Sequence, residues 1–314
     1  MLVFILVLLA LLTATAVFFL IVSWKVSSML LFPKVYAYET VVDEEVKRGH
    51  FTREWFDETV HLDEWYLRSP FGYDLHCALW PRGDSASFSD GRRRVVVLVH
   101  GFTYCLLGGI KYASIFHELG FDCVLYDHRN HGLSGRAPTT LGIAESRDLA
   151  AVCACARERF GEDAVLGTHG ESMGAATVML HAATDSRLAF AIEDCGYSSF
   201  VKELKHVLRN RFHLPVYPIL PLASLFSRLR GGVFLGSVLP IEALRQSAHV
   251  PMLFIHGDSD GLVPFAMLEE NDSAKAGIKK ILPFSGAKHA DCYHADPERY
   301  RTGVETFLRD NGVL

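Results

Sequence analysis

The stretch Ala164-Val165-Leu166-Gly167-Thr168-His169-Gly170-Glu171-Ser172-Met173-Gly174 decides the fold. A short apolar run, Ala164–Thr168, leads into G-x-S-x-G, and a helical pattern starts at Ser172. A turn this tight between strand and helix needs small residues on either side of its centre, and Gly170 and Gly174 supply them. It lifts the Ser172 hydroxyl clear of a sheet and sets it at a helix N-terminus, whose N–H groups favour developing negative charge. Five such residues alone are a modest signal, because glycine and serine are common. Their place between a strand and a helix makes them a nucleophile elbow rather than an ordinary Gly-rich turn.

Outward from the elbow, strand-like and helical runs alternate. Upstream, Glu64–Arg68 and Leu75–Trp80 form a hairpin through Phe71-Gly72, and residues 82–94 form a polar loop ending in a solvated Arg92-Arg93-Arg94 edge. Val95–Val99 is a continuous β-branched run, the mark of a strand buried on both faces. A helix over 107–119, a strand over Asp122–Asp127 and a helix over 143–159 lead into the elbow. Beyond it, strands are expected at Leu188–Glu193, Met252–Ile255 and Lys280–Pro283, with a last helix over 296–309. Strands alternating with helices predict an α/β fold, a mainly parallel sheet flanked by helices. Residues 200–248 break the alternation. They carry no strand-like run, and Pro215, Pro218 and Pro221 recur every third residue, so the segment reads as an inserted helical cap.

A serine hydroxyl is a poor nucleophile and needs a base. His289, in Gly286-Ala287-Lys288-His289-Ala290, follows the strand near 280–284, and Asp260, in His256–Pro264, follows the strand Met252–Ile255. Ligands bind beyond the carboxyl ends of strands in such sheets, and the chain order Ser172, Asp260, His289 is the one expected of this elbow. His289 would take the Ser172 proton, and Asp260 would orient the ring and stabilise the imidazolium. Asp258 and His294 are the runners-up for acid and base. The backbone N–H groups of Phe102, in His100-Gly101-Phe102-Thr103, and of Met173 are the candidate oxyanion hole, each donor typically worth ~10²–10³ in rate. A hydroxyl nucleophile with its own base calls for no cofactor and no metal.

Taken as a set, these pieces resemble the α/β-hydrolase superfamily, and within it the group of serine aminopeptidase-like and monoglyceride-lipase-like hydrolases. The matching residues are His100-Gly101, Asp127–Ser134, Gly170–Gly174, Asp194–Ser198, His256–Pro264 and His289, in the family's order across about 64–310. The resemblance implies the α/β-hydrolase fold with a cap after the sixth strand, agreeing with the insertion at 200–248. It also implies that Asp127–Ser134 is a pocket-shaping loop whose His and Arg are structural. Serine as nucleophile argues against the Asp-dependent dehalogenases and epoxide hydrolases of the superfamily and against its Cys-dependent lactone hydrolases. The expected activity is hydrolysis of carboxylic esters through an acyl-enzyme on Ser172. A serine peptidase using the same residues is the alternative, and a membrane-tethered non-catalytic binding protein is a distant third. The expected substrates are a small-molecule ester, an acyl-lipid or a short peptide.

Composition narrows the field further. With 314 residues, half of them hydrophobic, the chain can bury a large core. A net charge of −5 argues against a nucleic-acid partner. Seven cysteines, none in a C-x-x-C pair, make neither a disulfide framework nor a metal site. Met1–Val22 contains only Thr13 and Thr15 outside the apolar set. As a helix it would rise ~33 Å, enough to span a bilayer core, and it lacks the charged start and short core of a cleaved signal peptide. A single-pass N-terminal anchor is therefore expected over 1–22. Lys25 and Lys34 are too few to fix the side of the membrane. Residues 23–61 read as linker and extension, and 62–314 as the hydrolase domain, so residues 35–314 are expected to fold and act alone. Between Lys202 and Arg230, the basic residues Lys202, Lys205, Arg209, Arg211, Arg228 and Arg230 face a single acid, Glu203, with apolar residues between them. That surface suits either an anionic membrane or packing onto the sheet.

Overall fold

In the computed structural model, which describes residues 1–83 and 88–314, eight strands form one sheet. They are β1 (Asp63–Arg68), β2 (Asp74–Trp80), β3 (Arg94–Val99), β4 (Asp122–Tyr126), β5 (Val165–Glu171), β6 (Phe190–Asp194), β7 (Met252–Gly257) and β8 (Lys279–Phe284). The spatial order is β1-β2-β4-β3-β5-β6-β7-β8. β2 runs antiparallel to both neighbours, and every other pairing is parallel. This is an α/β-hydrolase fold, the expected architecture. Residues 84–87 of the polar loop lie outside the described residues.

Alternation along each strand builds two cores. Val96 and Leu98 of β3 face one side, with the extension's Val41 and Val42 and the last helix's Tyr300, Val304 and Phe307. Val95, Val97 and Val99 face the other, with Leu149 and Val152 of helix Ile143–Phe160 and Val178 and Met179 of helix Met173–Ala182. Register then sets the site. Val99 lies opposite Gly170, Glu171 opposite Asp194, and Gly257 opposite Phe284, so five strands end side by side.

Several expectations need correcting. β5 runs on to Glu171, because His169 and Glu171 continue the ladder to its neighbours despite their polarity. The run Arg92-Arg93-Arg94 is not simply a solvated edge. Arg94 is buried and holds Asp90 and the Val313 carbonyl, and Arg93 pairs with Asp122. The insertion at 200–248 ends early: helices Phe200–Asn210 and Ile219–Gly231 cap the elbow, whereas Leu244 of helix Pro240–Gln246 joins the core on the sheet.

The largest difference is at the N-terminus, where one helix spans Leu2–Leu31. Its first part is exposed and long and apolar enough to cross a membrane. Its last third packs on cap helix Ile219–Gly231 through Ser23, Ser27 and Leu31, all at 0% exposure. Arg230 stacks over Trp24 at 3.9 Å and donates to Ser28 Oγ at 2.9 Å, and Thr139 N–H donates to the Leu31 carbonyl at 2.9 Å. These contacts tie residues 23–31 to the domain, so a start at residue 35 removes part of the cap's support. Leu31→Ala is expected to destabilise the fold by about 2–5 kcal/mol, the usual cost of such a core truncation. Thermal denaturation of the full chain in detergent measures it, and an unchanged midpoint would mean that the helix end is not packed.

Candidate active site

The elbow forms because its neighbours leave no room for side chains. A Cβ at Gly170 would run into the Gly174 carbonyl, and one at Gly174 into the Val99 carbonyl. Between them Ser172 adopts φ 57°, ψ −113°, a conformation that costs a non-glycine residue energy and recurs at functional sites. Its own N–H donates to the Asp194 carbonyl at 2.8 Å, which fixes the turn to β6.

His289 Nε2 lies 2.9 Å from Ser172 Oγ, and His289 Nδ1 lies 2.7 Å from Asp260 Oδ2. An ionised carboxylate only accepts, so Nδ1 carries the ring proton and Nε2 is free to accept from the serine. Burial alone would raise the Asp260 pKa. Hydrogen bonds from His256 and His289, with backbone help, hold it well below the carboxylate range instead. Its Oδ1 accepts from the Leu262 and Val263 N–H groups at 2.8 and 2.9 Å. The runner-up acid, Asp258, is exposed and spends its oxygens on Ser285 and Gly286. The runner-up base, His294, stacks edge-on against His50 instead.

Met173 opens the helix after Ser172, so its N–H has no intrahelical acceptor. The His100–Thr103 loop abuts the elbow: a Cβ on Gly101 would sit 3.6 Å from Ser172 Cβ. Three buried imidazoles hold this loop. His100 Nε2 accepts from His128 N–H at 2.9 Å, His128 Nε2 lies 3.2 Å from the His100 carbonyl, and His131 Nε2 accepts from Thr103 N–H at 3.2 Å. Burial, then the neighbouring His131, pushes His100 down to about 4, so it stays neutral and serves the backbone. Arg129 stacks over Phe71 and pairs with Asp148 at 3.0 Å, a structural use of the loop. The N-terminal segment joins in, with Tyr36 N–H donating to the Thr103 carbonyl at 2.9 Å.

Sequence reasoning passed over several buried polar residues here. Lys111, Tyr112, Glu45 and Asp194 surround Glu171, and His256 Nε2 lies 3.3 Å from Asp260 Oδ2. Burial, then the nearby Glu171, pushes Asp194 up to about 7. The one available signal was a lysine set inside an apolar run, Gly109-Ile110-Lys111-Tyr112; Glu45, at the end of the acidic Asp43-Glu44-Glu45, carries none.

As metal-ligand candidates among the described residues, Cys195, Asp260 and His289 bring their donor atoms within 4.8 Å of one another. The Asp260 oxygens are already spent on the histidines and the backbone. All seven cysteines are free thiols.

Known proteins agree with this architecture. A family profile described as the alpha/beta hydrolase fold matches residues 94–192. The uncharacterized protein YqkD of Bacillus subtilis (strain 168) is 32% identical over 284 residues, 90% of this chain and 90% of its own. Among solved structures, the Pyrococcus furiosus esterase Pf2001 superposes with a TM-score of 0.66 at 20% identity, covering 82% of this chain and 93% of that one. A membrane phospholipase A, described as a bacterial virulence factor, covers 100% of both chains with a TM-score of 0.57 at 15% identity. With the elbow, the strand order and these matches together, the chain belongs to the alpha/beta hydrolase superfamily.

Proposed function

We propose that this protein is a serine hydrolase that cleaves carboxylic esters through an acyl-enzyme on Ser172. The observation that carries the reading is the continuous line from Asp260 through His289 to Ser172, at 2.7 and 2.9 Å. In this reading His289 takes the hydroxyl proton as Ser172 attacks the carbonyl, then returns it to the leaving alcohol. Asp260 keeps the ring in the right tautomer and steadies the imidazolium. The Phe102 and Met173 N–H groups receive the oxyanion. Water repeats the sequence to release the acid.

The surroundings favour an acyl substrate. Cap residues Phe200, Leu204, Val216 and Ile219 cluster with Met173 over the nucleophile, and Phe102 packs against them. The solved phospholipase that matches along the whole chain is in keeping with an acyl-lipid. We read Met1–Val22 as an uncleaved membrane anchor, consistent with the continuation of the same helix onto the cap. Three of the cap's basic residues have protein partners: Arg230 holds Trp24, Lys202 pairs with Glu270, and Arg228 donates to the Gly232 carbonyl. Among the described residues that leaves Lys205, Arg209 and Arg211 as the cations of this stretch to face an anionic surface.

The test is a substrate panel on the full chain, with p-nitrophenyl esters of increasing acyl length against aminoacyl amides. Turnover of the esters with little on the amides is the expected result. The reverse preference would assign the same residues to a peptidase.

A further inference from the structure

Behind the elbow lies a row of buried charges that the acyl-transfer scheme leaves unused. Lys111, 1% exposed, reaches Glu171 Oε2 at 3.0 Å and Glu45 Oε2 at 3.2 Å. Glu45 is fully buried, although it comes from helix Tyr38–Lys47 of the N-terminal extension. Its Oε2 also accepts from His50 Nδ1 at 2.6 Å. Glu171 Oε2 accepts from the Tyr112 hydroxyl at 2.7 Å. Taking three charged side chains out of water costs several kcal/mol for each ion unless each is paired. Here one ammonium is shared by two carboxylates, and this sharing joins the extension to the residue that precedes the nucleophile.

The place of Glu171 suggests what the row does. Its other oxygen, Oε1, has no hydrogen-bond partner among the described residues and lies 3.2 Å from where a Gly101 Cβ would be. Ser172 Cβ is 3.6 Å from that same point. The carboxylate therefore flanks the loop that leads to the Phe102 N–H. A bare carboxylate there would oppose the negative charge that develops on the carbonyl oxygen, strongly so in a site shielded from water. The Lys111 ammonium on the far oxygen offsets that charge.

We propose that Lys111, held by Glu45 of the N-terminal extension, is a positioning residue that neutralises Glu171 beside the oxyanion pocket, so that acyl transfer to Ser172 proceeds without an opposing charge. The inference rests on the serine-hydrolase reading above. It makes helix Tyr38–Lys47 a working part of the site. A structural role alone would have the row simply fasten the extension to the domain.

The two accounts separate in a set of full-chain variants: Lys111→Met, Lys111→Met with Glu171→Gln, and Lys111→Arg. Glu45 keeps His50 as a partner in all of them. Each is followed by kcat and KM on a p-nitrophenyl ester, by the rate at which a fluorophosphonate labels Ser172, and by thermal denaturation. Lys111→Met is expected to lose on the order of 10² in kcat with little change in KM, comparable to the loss of one oxyanion donor. Adding Glu171→Gln is expected to recover most of that loss, because a neutral amide leaves nothing to cancel. Lys111→Arg keeps the charge and is expected to stay within about tenfold of wild type. A Lys111→Met protein as fast as wild type overturns the proposal, and so does a double variant as slow as the single one. Should Lys111→Met not fold, a folded Lys111→Arg that is ~10² slower overturns it as well. Wild type left unlabelled at Ser172 refutes the serine-hydrolase reading itself. Wild type labelled, with Lys111→Met labelled equally fast, refutes only the role of Lys111.

Discussion

Ser172→Ala is expected to abolish ester hydrolysis, with a loss on the order of 10⁶ in kcat, while the thermal midpoint stays close to wild type. The magnitude follows from the geometry. His289 Nε2 faces Ser172 Oγ at 2.9 Å, with the Cys195 thiol farther off at 4.0 Å, so without Oγ the proposed base loses its nearest proton donor. The substitution removes one hydroxyl from a half-buried position and keeps the backbone bond from residue 172 to the Asp194 carbonyl. Residual activity within tenfold of wild type, on the scale where nucleophile loss costs about 10⁶, would mean that another group attacks the ester.

The second large effect concerns the acid. Asp260→Asn is expected to lower kcat by about 10⁴, since an amide that donates towards His289 Nδ1 favours the wrong tautomer. Asp258→Asn, two residues away, is expected to act like wild type, because its side chain holds Ser259, Ser285 and Gly286 at the surface and not His289. The measurement is kcat for both variants on one ester, with circular dichroism to establish folding. Equal losses, or the opposite ranking, would move the acid elsewhere.

What was legible in the sequence is what is local in the chain. The elbow is five consecutive residues with a strand before and a helix after. The buried strand Val95–Val99 announces itself by composition, and the hairpin by its Phe71-Gly72 turn. Asp260 and His289 were legible because each follows a recognisable strand.

The parts that were not legible depend on partners far along the chain. Trp24 and Ser27 read as the start of a linker, yet both face a cap helix some 200 residues away, where Arg230 and Ser227 meet them. His169 and Glu171 are too polar to read as strand, but His169 pairs with both β3 and β6, and Glu171 continues the ladder to β6. The row from Glu45 through Lys111 to Glu171 joins three separate segments, so neither period nor spacing marks it.

The most direct measurement is to treat the full-length protein with a fluorophosphonate probe and map the modified residue by mass spectrometry. The expected result is a single adduct on Ser172, formed rapidly by wild type and lost in Ser172→Ala, with labelling slowed sharply in His289→Ala. An adduct on a different residue, no adduct on a folded protein, or equal labelling in His289→Ala would contradict a nucleophile at Ser172 activated by His289.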